Sequence, residues 1–220
     1  MNRTLHTLIV SGGRIDSDLA LQIWNGTYAH RIGVDGGVGF CYEHQLPLTE
    51  IVGDFDTLDQ NILKWYKEHT DIKIRAYDPV KDATDTQIAV ELALELGSSQ
   101  ITILGGTGTR LDHVLGNIQT LYLPLMQGVD CRIVDCHNRI RLIKDRYVIR
   151  KEEQYGHYFS LIPFTTDVYG VTLKGAKYPL DGYHFTACGT GSLGVSNEIS
   201  QEQVEITMES GILILIESKD

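Results

Sequence analysis

The sequence predicts an α/β fold, a mostly parallel sheet with helices on both faces, followed by an antiparallel β domain. Three observations carry this. Over the first 135 residues, short β-branched runs alternate with segments of helical spacing, the pattern of strand–helix units that build parallel sheets. After about residue 138 only strand-like runs remain, separated by Gly, Pro and Asp turns. A chain of 220 residues with 42% apolar content is long enough for one large domain or two compact ones. The change of texture places the boundary near 137, giving an α/β domain over 1–137 and a β domain over 138–220.

In the first domain the strands are read at LHTLIV, HRIGV, TEIV, DIKIRAY, QITIL and CRIVD. The strongest helix signal covers residues 111–127, where Leu111, Val114, Leu115, Ile118, Leu121, Tyr122 and Leu125 recur at three and four, and Gly128 supplies a C-terminal stop. A second helix runs from about Thr84 to Leu96. There Thr84 and Gln87 match a capping box, and Gly97 terminates the pattern. In the second domain RYVIR, YFSLIPF, VYGVTLKG, DGYHFTA and VEITMESGILILIES read as strands, with MESGIL as a tight hairpin turn between the last two.

Composition excludes several function classes. The net charge is −10 and no Lys/Arg cluster occurs, which argues against nucleic acid or an anionic membrane as partner. No apolar run approaches bilayer length, and MNRTLHTLIVSGG reads as a first strand rather than a signal peptide. Cys41, Cys131, Cys136 and Cys188 are scattered without a C-x-x-C pair, which fits a reduced, cytoplasmic protein. The eight histidines show no zinc spacing.

In open parallel sheets, ligands bind at the carboxyl ends of the strands, so the motifs just past the strand runs are the candidate site. SGGR (11–14) offers glycines for close backbone approach to a phosphate, or a plain turn. GVDGG places Asp35 before Gly36 and Gly37, which leaves room beside the carboxylate for a polar ligand. GDFDT sets Asp54 and Asp56 one residue apart. Such carboxylates repel one another unless a cation sits between them, and hard oxygen ligands suit Mg²⁺. Asp82 and Asp85 flank the start of a helix, where either could simply cap it, and Lys81 beside them can pair with phosphate. GGTGTRLDHVLGN holds Gly105, Gly106 and Gly108 in a flexible loop opening a helix, with Arg110 and His113 in its first turn: an anion site that is neither a Walker A motif nor a dinucleotide fingerprint. GTGSLG (189–194) matches G-x-G-x-x-G, but no helix pattern follows it. Together these features point to a metal–nucleotide complex and phosphoryl-type transfer.

The ensemble GVDGG, GDFDT, KDATDTQIA, GGTGTRLDHVLGN and GTGSLGVSNEI resembles, in order and spacing, the thiamine pyrophosphokinase family over roughly residues 33–199. Thr57, Gln87 and Thr109 stand where the family often has Ser, Glu and Gly. The resemblance implies a Rossmann-like α/β domain followed by a β-sandwich, a homodimer, and transfer of a pyrophosphoryl group from ATP to thiamine. It implies that Asp54, Asp56, Asp82 and Asp85 bind Mg²⁺ and its phosphates, with Asp35 close by, and that Arg110 and His113 touch the ATP phosphates. It also implies that Ser196 and Asn197 hydrogen-bond the aminopyrimidine, and that Tyr178, in LKGAKYPL, stacks on thiamine of the partner subunit. Two alternatives are compatible with parts of the sequence. DFDTL comes near the signature of an aspartyl-phosphate phosphatase, with its threonine one place early, and a non-catalytic nucleotide-sensing module would bind ATP without consuming it.

Overall fold

The computed structural model describes residues 4–56, 58–76, 83–189 and 193–220. Lys81, Asp82 and Thr57 lie outside them. The chain divides into two compact units, Met1–Cys136 and His137–Asp220.

The first unit runs β1 (His6–Val10), α1 (Ser17–Trp24), β2 (His30–Val34), α2 (Gly36–Glu43), β3 (Glu50–Gly53), α3 (Gln60–His69), β4 (Lys73–Ala76), α4 (Asp85–Glu95), β5 (Gln100–Leu104), α5 (Leu111–Thr120), α6 (Tyr122–Met126) and β6 (Asp130–Val134). Its strands lie in the order β4-β3-β2-β1-β5-β6, and every pairing is parallel. The chain first builds outward from β1 to β4, then returns to place β5 on the other side of β1. That reversal makes the carboxyl ends of β1 and β5 the switch point at which such sheets bind ligands. The interior strands are buried on both faces: Leu8, Ile9, Val10, Ile32, Ile51, Ile101 and Ile103 are inaccessible to solvent, which is why they read as near-continuous apolar runs.

Helix α4 packs against β1, β2 and β3. Thr84 caps it by accepting a hydrogen bond from the Gln87 N–H at 3.3 Å. The capping box is only half formed, because the Gln87 amide turns forward to Glu91 at 2.9 Å instead of back to the cap. The helix expected over 111–127 breaks at Leu121 into α5 and α6. Pro124 is the cause: it has no N–H to offer the Thr120 carbonyl one turn earlier, and its ring crowds that carbonyl. Helix α2 was hidden from sequence reading by Gly36, Gly37 and Gly39, poor helix formers. Its second glycine is dictated by packing, since a Cβ at Gly37 would overlap the Val10 carbonyl.

The second unit contains β7 (Asn138–Ile143), β8 (Arg146–Arg150), β9 (Tyr158–Pro163), β10 (Asp167–Lys174), β11 (Leu180–Thr186), β12 (Gln203–Thr207) and β13 (Leu213–Ser218). Antiparallel pairing gives β7-β13-β9 on one side and a four-stranded sheet β11-β10-β12-β8 on the other. Phe159, Leu161, Leu213 and Leu215 from the first meet Val168, Val171, Phe185, Val204 and Ile206 from the second in one core, the arrangement of a β-sandwich. The expected hairpin at MESGIL does not form. Strand β12 pairs with β10 and β8, whereas β13 pairs with β7 and β9. Residues 208–212 therefore carry the chain from one sheet to the other. Alternating apolar residues on both strands face the same core from opposite sides, so the turn residues alone did not reveal the crossing.

Among the described residues no helix is long and apolar enough to cross a membrane.

Candidate active site

At the carboxyl edge of the parallel sheet, backbone packs on backbone. The Gly13 N–H donates to the Gly105 carbonyl at 2.9 Å and the Arg14 N–H to the Thr107 carbonyl at 2.8 Å. A Cβ on Gly13 would overlap both carbonyls. The glycines of SGGR thus fasten the β1 loop to the β5 loop, and the Gly13 and Arg14 donors are not left for a phosphate.

Three carboxylates converge there. Asp35, Asp54 and Asp85 each present an oxygen within 4.8 Å of the others. Asp35 follows β2 in a left-handed conformation, φ 44°. It precedes α2 without capping it. Among the described residues its buried Oδ1 has no hydrogen-bond partner. Burial is the main force raising the Asp35 pKa to about 7, and the Asp85 carboxylate is the next, by its charge and a shared hydrogen bond; Asp54 and Asp56 add to it. Asp85 opens α4, but Thr84 does the capping, so the Asp85 carboxylate is left to the cluster. A buried hydroxyl pair, Ser11 Oγ and Thr86 Oγ1 at 2.6 Å, ties the start of α4 to the end of β1.

Asp56 lies beside this cluster. Its N–H donates to Asp54 Oδ1 at 3.1 Å, and it is exposed, outside the converging three. Phe55 between them is left-handed, φ 61°, with its ring buried among Val38, Ile51 and Leu58. Non-glycine residues seldom adopt such angles and concentrate at functional sites when they do. Asp35, a neighbour of the metal ligands by the sequence reading, is central in the structure. Hard oxygen donors around an unpartnered buried carboxylate oxygen fit a divalent cation.

The loop after β5 is braced rather than flexible. Buried Asn117 donates from Nδ2 to the Gly106 carbonyl at 2.8 Å, and Thr107 Oγ1 donates to Asp135 at 2.8 Å. Among the described residues the N–H groups of Gly106, Thr107, Gly108 and Thr109 have no hydrogen-bond partner. Consecutive free donors entering the N-terminus of α5 are able to hold an anion. Arg110 stands at the helix start, exposed and paired with Asp112 at 2.6 Å. That pairing raises the Arg110 pKa and lowers that of Asp112. His113 is exposed in the first turn.

In the sandwich unit, Tyr178 lies between β10 and β11 and is 60% exposed. Ser196 is exposed and left-handed, φ 58°, while Asn197 is buried. The Asn197 amide is engaged with the Tyr178 backbone through both its oxygen and its nitrogen.

A doubly constructed protein emerges: a parallel α/β unit with acidic groups and an anion cradle at its switch point, and a β-sandwich with an exposed aromatic residue. This is the class of a two-domain, metal-dependent nucleotide phosphotransferase. Comparison with known proteins specifies it further. The thiamin pyrophosphokinase catalytic domain matches residues 20–133, and the thiamin pyrophosphokinase vitamin B1 binding domain matches residues 146–213. The chain is 35% identical over 213 residues to thiamine pyrophosphokinase of Bacillus subtilis (strain 168), covering 96% of this chain and 98% of the relative. The crystal structure of the Bacillus subtilis thiamine pyrophosphokinase superposes with a TM-score of 0.85 at 34% identity, over 98% of this chain and 99% of that one. That of the Geobacillus thermodenitrificans thiamin pyrophosphokinase does so at 0.85 and 30% identity, over 98% of both chains. The chain belongs to the thiamin pyrophosphokinase family. Neither the phosphatase nor the sensing-module reading finds support in these relatives.

Proposed function

We propose that the chain transfers a pyrophosphoryl group from ATP to the hydroxyl of thiamine, giving thiamine pyrophosphate and AMP. The observation that carries this reading is the convergence of Asp35, Asp54 and Asp85 around a buried, unpartnered carboxylate oxygen in a chain of this family. Asp35, Asp54 and Asp85 would hold Mg²⁺, which when bound supplies positive charge to neutralise the triphosphate. Asp56 lies beside them, and Lys81 and Asp82, just ahead of Asp85 in the chain, are further phosphate- and metal-binding candidates by sequence alone.

The chain's own groups act chiefly by position and charge. The free N–H groups of Gly106 to Thr109 face phosphate oxygens, and Arg110 and His113 add donors at the same helix terminus. Gly36 and Gly37 let the head of α2, directly after Asp35, pack against the backbone of Gly12 and Val10. Burial and the neighbouring carboxylates raise the Asp35 pKa to about 7 in the metal-free protein, and a cation held there would favour its ionised form. The sandwich unit recognises thiamine: the Tyr178 ring suits a cationic thiazolium, and Ser196 and Asn197 stand at the aminopyrimidine end. The active form is a homodimer. All four cysteines are free, which suits a reducing, cytoplasmic setting.

Incubation with ATP, Mg²⁺ and thiamine, with AMP and thiamine pyrophosphate assayed together, tests the activity. Equimolar appearance of both is expected. ATP binding without turnover, or phosphate release without thiamine, would overturn it. Light scattering tests the dimer.

A further inference from the structure

We propose that Asn197 is a positioning residue, which fixes the backbone of Tyr178 and so aims its ring, and that its side-chain oxygen is not a thiamine contact. The proposal rests on the reading of Tyr178 as the residue that stacks on thiamine.

The hydrogen-bond inventory of the amide carries the argument. Asn197 is 7% exposed. Its Oδ1 accepts from the Tyr178 N–H at 3.1 Å and from the Glu198 N–H at 2.9 Å, and its Nδ2 donates to the Tyr178 carbonyl at 2.8 Å. A side-chain carbonyl oxygen has two lone pairs and the NH₂ two hydrogens. Both acceptor sites are therefore occupied, and one N–H remains. The edge of an aminopyrimidine calls for an acceptor as well as a donor, and Asn197 has no acceptor left to give. Exchanging the amide's oxygen and nitrogen would place like groups against both Tyr178 partners, so the orientation is fixed by the contacts themselves.

The clamp has a firm base. Asn197 and Phe159 exchange backbone hydrogen bonds at 2.9 Å in both directions, and Phe159 is in the sandwich core. On the far side, the Lys177 N–H donates to the Glu198 carbonyl at 2.9 Å, and Lys177 Nζ pairs with Glu198 at 2.6 Å. Pro179 further narrows the conformations open to Tyr178, because a residue before proline is driven to extended angles. A core-anchored amide thus holds the main chain on both sides of an otherwise exposed ring. The Ser196 hydroxyl, which has no partner among the described residues, is left as the polar group for the pyrimidine.

The test is a double-mutant cycle in the full-length enzyme using Asn197→Ala, Tyr178→Ala and the pair, with KM for thiamine, KM for ATP and kcat measured for each. Loss of a cation–aromatic contact predicts that Tyr178→Ala raises the thiamine KM by on the order of 3- to 30-fold. Asn197→Ala should raise it comparably, leave the ATP KM unchanged, and add nothing once Tyr178 is alanine. Asn197→Asp, nearly isosteric, should behave like the alanine variant because its second oxygen faces the Tyr178 carbonyl, and a melting curve of each variant separates this from loss of folding. If Asn197 variants raise the thiamine KM by the same factor with and without Tyr178, the positioning role is overturned while the stacking reading stands. If Tyr178→Ala leaves the thiamine KM unchanged, the stacking reading falls and takes the proposal with it.

Discussion

Gly53 has no side chain where the Asp35 carboxylate needs room: a Cβ at Gly53 would overlap Asp35 Oδ1. The last residue of β3 and the residue after β2 are thus matched, and the glycine ahead of Asp54 is a condition for the acidic cluster. Gly53→Ala is expected to displace Asp35. The rise in melting temperature that Mg²⁺ gives the parent protein should be lost, and turnover should fall by roughly tenfold or more, as misplacement of about 1 Å does in active sites generally. Differential scanning fluorimetry with and without Mg²⁺ checks the first, and the AMP assay the second.

Replacing Asp35 itself should separate stability from activity. The Asp35 pKa is raised from 3.8 to about 7, so between those values the folded state holds a proton that the unfolded state has lost. Stability of the metal-free protein consequently falls as pH rises through that window, and the cost is fully present above it. Asp35→Asn removes the cost. At pH 8 without metal the variant should melt above the parent, while its activity is largely lost. Melting curves at pH 5 and pH 8 in EDTA would refute this if parent and variant shifted in parallel.

His6 titrates in the same acid window as Asp35 with the opposite effect on stability. Burial, and then the charge of Arg132, lower its pKa from 6.5 to about 4, and its Nε2 meets Thr102 Oγ1 at 2.9 Å. The unfolded chain takes up this proton first, so the stabilisation exists above pH 6.5 and is lost as pH falls toward 4. With His6 only half buried, the discounted effect is about 1–2 kcal/mol. Urea titrations should show His6→Gln gaining stability relative to the parent as pH falls from 6.5 to 4, and an unchanged difference across that window would refute it.

Asn117 tests the braced loop. Removing its bond to the Gly106 carbonyl leaves a buried acceptor unsatisfied, worth about 1–3 kcal/mol of stability. Asn117→Ala should also raise the ATP KM several-fold with little change in the thiamine KM, measured by steady-state kinetics.

Much of this architecture was legible in the residues. Alternating strand and helix texture, and its loss near residue 137, reflect burial on both faces of β1, β2 and β5 and alternating burial in the sandwich. Thr84 revealed the start of α4 because capping is local chemistry. What escaped was decided elsewhere in the fold. Gly37 reads as a turn residue, yet its missing Cβ makes way for the Val10 carbonyl inside a helix. The helix beyond Leu111 breaks where Pro124 removes one donor from an otherwise perfect apolar repeat. Spacing brought Asp54 and Asp56 to notice as a pair, but the left-handed turns at Asp35 and Phe55 determine which carboxylates meet. Motif letters likewise said that Asn197 is polar and near a ligand; only the occupancy of its lone pairs shows what it holds.

The seam of glycine backbone joining the β1 and β5 loops gives these two segments a common fate. Because Gly13 and Gly105 interlock, and Gly12 abuts Gly36 at the head of α2, the open donors of the β5 loop and the acidic cluster rest on one continuous slab of main chain. Selection on either half is then selection on both: a larger residue at any of these glycines would tilt the carboxylates and the loop donors together, so their mutual spacing is inherited as a unit.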